Sequence, residues 1–173
     1  MTTERAAEDR ERADFLETLS AHRSFLCRTV RDLTDEQARQ RTTVSELCLG
    51  GLIKHVTRAE QRWADFIVRG PIAIGDGGEA AMKAHAAGFR MLEGETLASL
   101  LENYDEVARR TDSLVASLPS LDASQPLPAA PWYEPGACWS ARRVLLHIVA
   151  ETAQHAGHAD IIRESLDGAK TMG

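Results

Sequence analysis

"HIVAETAQHAGHAD", His147–Asp160, sets three histidines and a glutamate inside a run that otherwise reads as an apolar helix. On a helix each residue turns about 100°, so relative to His147 the side chains of Glu151, His155 and His158 fall at about 40°, 80° and 20°. Val144, Ile148 and Ile162 lie close to the same sector, which is therefore expected to face the interior of a helical bundle. An ionised carboxylate buried there is strongly unfavourable unless it is paired or coordinated. A cation answers that directly. Glu151 and His155, four residues apart, project side by side and can both ligate one metal from a single helix turn.

A third donor has to come from another helix, and "GGLIKHVTRAEQRW" supplies His55, at the edge of a stripe running through Leu52 and Val56. Gly50 and Gly51 stand one turn earlier, where small residues allow a neighbouring helix to come close. Two nitrogens and one carboxylate leave coordination positions open for water or substrate, the pattern of a catalytic metal site. Such a set suits zinc first, and also nickel, manganese or iron. Plainer readings of the same residues stand beside this one. His147 and Glu151 can form an ordinary i,i+4 hydrogen-bonded couple, and isolated histidines such as His22 and His85 read as satisfied core residues. Cys48, seven residues before His55, could share its face, although a small buried thiol is the simpler reading.

Around these stretches the chain is all-helical in pattern. The spacing of Phe15, Leu19, Leu26 and Val30 predicts a first helix from about Arg5 to Arg31. "LTDEQARQ" follows, with Thr34 and Gln37 at capping-box spacing. A second helix is expected from about Leu47 to Val68, broken by "RGPIAIGDGG", and a weak short helix over residues 79–91. The third long helix starts at Thr96 as N-cap, with Leu97, Leu100, Tyr104 and Val107 on its stripe. Leu118–Ala137 holds five prolines and reads as a long irregular connection, whose Trp132 and Tyr133 are the aromatics expected at a pocket mouth; Trp139 reads as a packing staple. The fourth helix runs from Ser140 to Gly168. One domain over 1–173 is expected, a four-helix bundle with long connections between its second and third and its third and fourth helices.

Composition narrows the function classes. Twenty basic against 26 acidic residues give a net charge of −6, with no basic cluster that would serve nucleic acid or an anionic membrane. No apolar run approaches the roughly 20 residues of a membrane span. "MTTERAAEDRERADF" lacks the apolar core of a secretory signal. Three scattered cysteines fit free thiols in a reducing, cytoplasmic setting. A homodimer built on apolar surface of the third helix and the proline-rich loop is a further expectation.

"LCLGGLIKHV" and "CWSARRVLLHIVAETAQHAGHADIIRESLDG", with "LTDEQARQ" between the first two helices, resemble the DinB-like superfamily of metal-binding four-helix bundles, in particular an uncharacterised actinobacterial subgroup. That superfamily holds its metal with one histidine of the second helix and two ligands four residues apart on the last. The related mycothiol-dependent maleylpyruvate isomerases use Glu-x-x-x-His. The resemblance therefore implies His55, Glu151 and His155 as ligands. It sets His158 where relatives carry a glutamine in "H-R-G-Q", leaving His158 and His147 to support or wall the site. It also implies chemistry: relatives, bacillithiol S-transferases among them, use a low-molecular-weight thiol to isomerise or conjugate an electrophile. A metal-dependent thiol transferase or isomerase, with mycothiol as co-substrate, is thus the leading expectation. The alternative is a non-catalytic, stress-associated metal-binding module of unknown ligand.

Overall fold

Local signals at the helix ends account for most element boundaries. The structure, a computed structural model, describes residues 3–75 and 78–171. In chain order the elements are α1 (Thr3–Arg28), α2 (Asp35–Arg39), α3 (Leu49–Arg69), α4 (Glu79–Gly88), α5 (Leu97–Ser117), β1 (Ser124–Pro126), β2 (Cys138–Ser140) and α6 (Ala141–Asp167), with a short 3-10 turn at Gly70–Ala73. Thr34 caps α2 through a reciprocal box with Gln37, and Thr96 caps α5 by accepting from the Ser99 N–H. Ser140 accepts from the Arg143 N–H at the start of α6. Gly168, at φ 79°, closes that helix by donating to the Glu164 carbonyl.

The four long helices α1, α3, α5 and α6 form the all-α four-helix bundle that the periodicity predicts, of the DinB-like type that the resemblance implies. α1 stops at Arg28, short of the expected Arg31, and the chain turns there through Asp32 at φ 61°. α4 ends at Gly88 rather than residue 91, and residues 76–77 of the expected break lie outside the described residues. The proline-rich connection is less irregular than expected. β1 and β2 pair antiparallel within it, Gln125 opposite Trp139, and clip its two ends together at the foot of α6.

Two apolar clusters fill the bundle. One gathers Leu26 of α1 and Val30 just after it, Leu52, Ile53 and Val56 of α3, Leu97 and Leu100 of α5, and Ala159 and Ile162 of α6. The other gathers Phe15 and Leu19 of α1, Trp63 and Phe66 of α3, Val115 of α5, and Val144, Leu145 and Ile148 of α6. Membership gives the helix directions. α3 and α5 run the same way, opposite to α1 and α6. A parallel pair cannot be joined by a tight hairpin, so the α3–α5 link must travel back along the bundle, and α4 is that return path.

Between the clusters lies a buried polar layer. Arg23 of α1 donates to both carboxylate oxygens of Glu60 on α3, at 2.5 and 3.2 Å, and to Asp112 of α5 at 2.8 Å. The side chain of Glu60 is wholly buried. Its charge is closed by a protein cation, and the site described next shares this level of the bundle.

Candidate metal centre

α3 and α6 pack side by side, and each brings one edge of its buried face to the same place. From α3 comes His55, and from α6 come Glu151 and His155. The Nε2 atoms of His55 and His155 both stand 3.6 Å from Oε2 of Glu151, slightly beyond hydrogen-bond reach. One donor atom from each of the three residues lies within 4.8 Å of the others. Ligands at the usual zinc distances of about 2.0–2.2 Å would sit about 3.3–3.5 Å apart in a tetrahedron, so a small contraction would let this set close on one divalent cation. Nitrogen, nitrogen and carboxylate oxygen is also a donor set such ions accept.

The two imidazoles, His155 foremost and then His55, hold the Glu151 carboxyl well below the ordinary carboxylate range, against the opposing effect of burial. His55 and His155 are buried, whereas the Glu151 side chain keeps 29% of its surface exposed. The sector expected to point into the core therefore lies at its rim. The buried arc of α6, running through Val144, Ile148, Thr152, His155 and Ala159, centres about 110° round from His147. His155 sits inside that arc, and Glu151, His158 and His147 sit progressively outside it. The geometry leaves the carboxylate in reach of solvent and of a ligand.

Neighbouring side chains set the rings. The Nδ1 atoms of His155 and His158 are 3.3 Å apart, so with Nε2 of His155 turned to Glu151 its other nitrogen is occupied. Only one of two facing imidazole nitrogens can carry the hydrogen, and a His155 that ligates through Nε2 must be the donor. Phe89 stacks on His55 with centroids 3.8 Å apart and planes at 19°. Gly51 permits this contact: a Cβ there would collide with the Phe89 carbonyl oxygen. What comes close to the glycines is thus the segment after α4, Phe89–Met91, rather than a helix.

His147 stands on the other side, its Nε2 3.9 Å from Oε1 of Glu151 and its ring edge-on to Trp63 and Trp139. Burial keeps it less basic than an ordinary histidine, helped by Arg143 and Arg62 and opposed by Glu151. Trp139 stacks on Trp63 and carries the Arg143 guanidinium over its ring, so it is part of this wall as well as a staple. Tyr133 leans on Trp139, and Trp132 beyond it is 68% exposed and edge-on to Tyr133.

Cys48 lies apart, buried in the apolar cluster near the Phe89 carbonyl. His85 departs from the reading of a satisfied core residue. It is exposed on α4, edge-on to the His55 ring at 5.4 Å, and lowered in basicity first by partial burial and then by His55 and Arg62. Phe89, His85 and the arginines of α3 are the site residues that periodicity does not disclose. Gly50–Gly51 signals a close approach without saying what approaches.

Comparison with known proteins agrees with this architecture. The profile of a family described as Mycothiol-S-transferase matches residues 14–168. A search of curated proteins finds no match. Among solved structures, a conserved protein from Enterococcus faecalis superposes with a TM-score of 0.62 at 16% identity, over 90% of this chain and 96% of that one, a likeness of fold. Among the described residues no helix is long and apolar enough to cross a membrane.

Proposed function

Since the chain belongs to the mycothiol S-transferase family, we propose that it joins a low-molecular-weight thiol of the mycothiol type to an electrophilic small molecule, with a divalent metal at His55, Glu151 and His155. The observation that carries this reading is the convergence of those three donors at the rim of the core, with the carboxylate still open to one side. A structural metal is closed by four protein ligands, whereas this set stops at three. The metal is most simply zinc, which such a donor set accepts.

When bound, the cation lowers the pKa of a thiol so that thiolate is available near neutral pH. The chain's own residues supply the rest. Phe89 fixes the plane of His55, and His158 occupies the far nitrogen of His155, so both rings are held before a ligand arrives. Glu151 stays ionised because two imidazoles face one of its oxygens. The Trp63–Trp139 stack and His147 wall one side against water. In the reaction the sulfur lone pair forms a bond to the electrophilic carbon as the electrophile's π bond, or the bond to its leaving group, breaks. The thiol proton leaves to solvent, and the displaced electron pair takes a proton from solvent or departs with the leaving group.

Cobalt-loaded protein titrated with mycothiol tests this. Thiolate coordination is expected to give a charge-transfer absorption and to release one proton, both absent from His55→Ala. No spectral change with the thiol would overturn the reading.

A further inference from the structure

Beside the triad, between α3 and α4, lies a cavity of about 210 Å³ that has His55 in its wall. At about 30 Å³ per water this holds a group of several heavy atoms. Its small walls are Ala59, Ala84 and Gly88; its polar ones are Arg58, Arg62 and His85. Arg58 and Arg62 follow His55 by three and seven residues, so all three share one face of α3.

Carboxylate residues outnumber bases in this chain, 26 to 20. Arg12, Arg23, Arg109, Arg142 and Arg163 each hold a carboxylate. Among the described residues neither Arg58 nor Arg62 does. Arg58 donates one guanidinium nitrogen to the Ala84 carbonyl at 3.2 Å, which braces it across the cavity, and no other acceptor meets its guanidinium among the described residues. Two guanidinium groups with no counter-charge among the described residues, at a cavity that shares a wall with the candidate metal ligand, form a receptor for a planar anion.

We propose that this cavity is an anion subsite: Arg58 and Arg62 receive a carboxylate of the substrate whose reacting end lies at His55, Glu151 and His155. The subsite rests on the reading of that triad as the place of thiol transfer, and it narrows the substrate class to a pair in which one partner, thiol or electrophile, is a small carboxylic acid. The sulfur or electrophilic carbon would then be only a short chain from the carboxylate.

The test uses cobalt-loaded wild type, Arg58→Gln/Arg62→Gln and Arg58→Lys/Arg62→Lys at low salt. All the substituted side chains are exposed, so folding is expected to be unchanged, as circular dichroism will show. One arm measures binding of 3-mercaptopropionate against 3-mercaptopropionamide; a second measures turnover of a maleimide bearing a carboxylate against its methyl ester. Calorimetry on metal-free protein with propionate reads the subsite alone. At least about tenfold preference for the acid is expected in one arm, abolished by the glutamine pair and partly kept by the lysine pair. The arm that shows it identifies which partner carries the charge. Preference absent from both arms, or equal in wild type and the glutamine pair, overturns the subsite. A missing thiolate band together with propionate binding that the glutamine pair loses sinks the transferase reading and leaves the anion subsite standing.

Discussion

Two carboxylates on neighbouring helices, one buried and one at the rim, have met opposite fates. Glu60, inside the bundle, is closed by Arg23, which also reaches Asp112, so the charge is answered within the protein. Glu151, at the rim, faces His55 and His155 on one oxygen and His147 on the other, and no lysine or arginine pairs with it among the described residues. An arginine is a permanent cation, and a carboxylate it grips is finished chemically. Imidazoles can be neutral donors, and a carboxylate among them is ready for a cation from outside. Similar groups thus yield a strut in one place and a receptor in the other.

The largest break in that contrast should come from Glu60→Ala. It leaves Arg23 buried with only the half-exposed Asp112 as partner, and about 3–5 kcal/mol of stability should be lost in urea titrations. Glu151→Ala in metal-free protein should cost far less. Comparable losses would erase the distinction between strut and receptor. Metal should act only at the rim. With the ion at about a hundred times its Kd, wild type should gain about 2.7 kcal/mol, read as a rise in melting temperature. His55→Ala should gain almost nothing.

Gly51→Ala sharpens the comparison from the α4 side. Its methyl would push the Phe89 carbonyl away, costing about 1–3 kcal/mol and loosening the ring that holds His55. Metal affinity should therefore fall with stability, whereas Glu60→Ala should lower stability first. His158→Ala should weaken metal binding about tenfold in competition with a chromophoric chelator, and His158→Gln should restore much of it, because an amide oxygen can accept from Nδ1 of His155. The smallest effect is in pH. The Glu151 carboxyl is held below its ordinary value, so its contribution is complete above the unfolded pKa of about 4.3 and is lost as pH falls toward the lowered one. The stability gap between metal-free wild type and Glu151→Gln should be flat above about pH 5 and close in more acidic solution.

Much of the bundle was legible because caps and apolar spacing are local. Thr34, Thr96, Ser140 and Gly168 act within one turn of their own helix ends. The grouping of Glu151 with His155 follows from helical pitch alone. The orientation of that group is not local, since small residues as well as large apolar ones set the buried face. Thr152, Ala156 and Ala159 are buried as well, and they turn the buried face away from Glu151. The β1–β2 clip is not legible in the sequence because three-residue strands carry too little alternation.

By itself the sequence determined four helices, most of their ends, and a glutamate and histidine bound to share a face, because these depend on residues within a few positions of one another. Tertiary structure decided the parallel course of α3 and α5, and with it the return of the chain through α4. That path lays Phe89 on His55 and encloses the cavity beneath Arg58 and Arg62. Contacts between residues some thirty positions apart depend on where a crossover runs, and nothing periodic in the intervening chain encodes it.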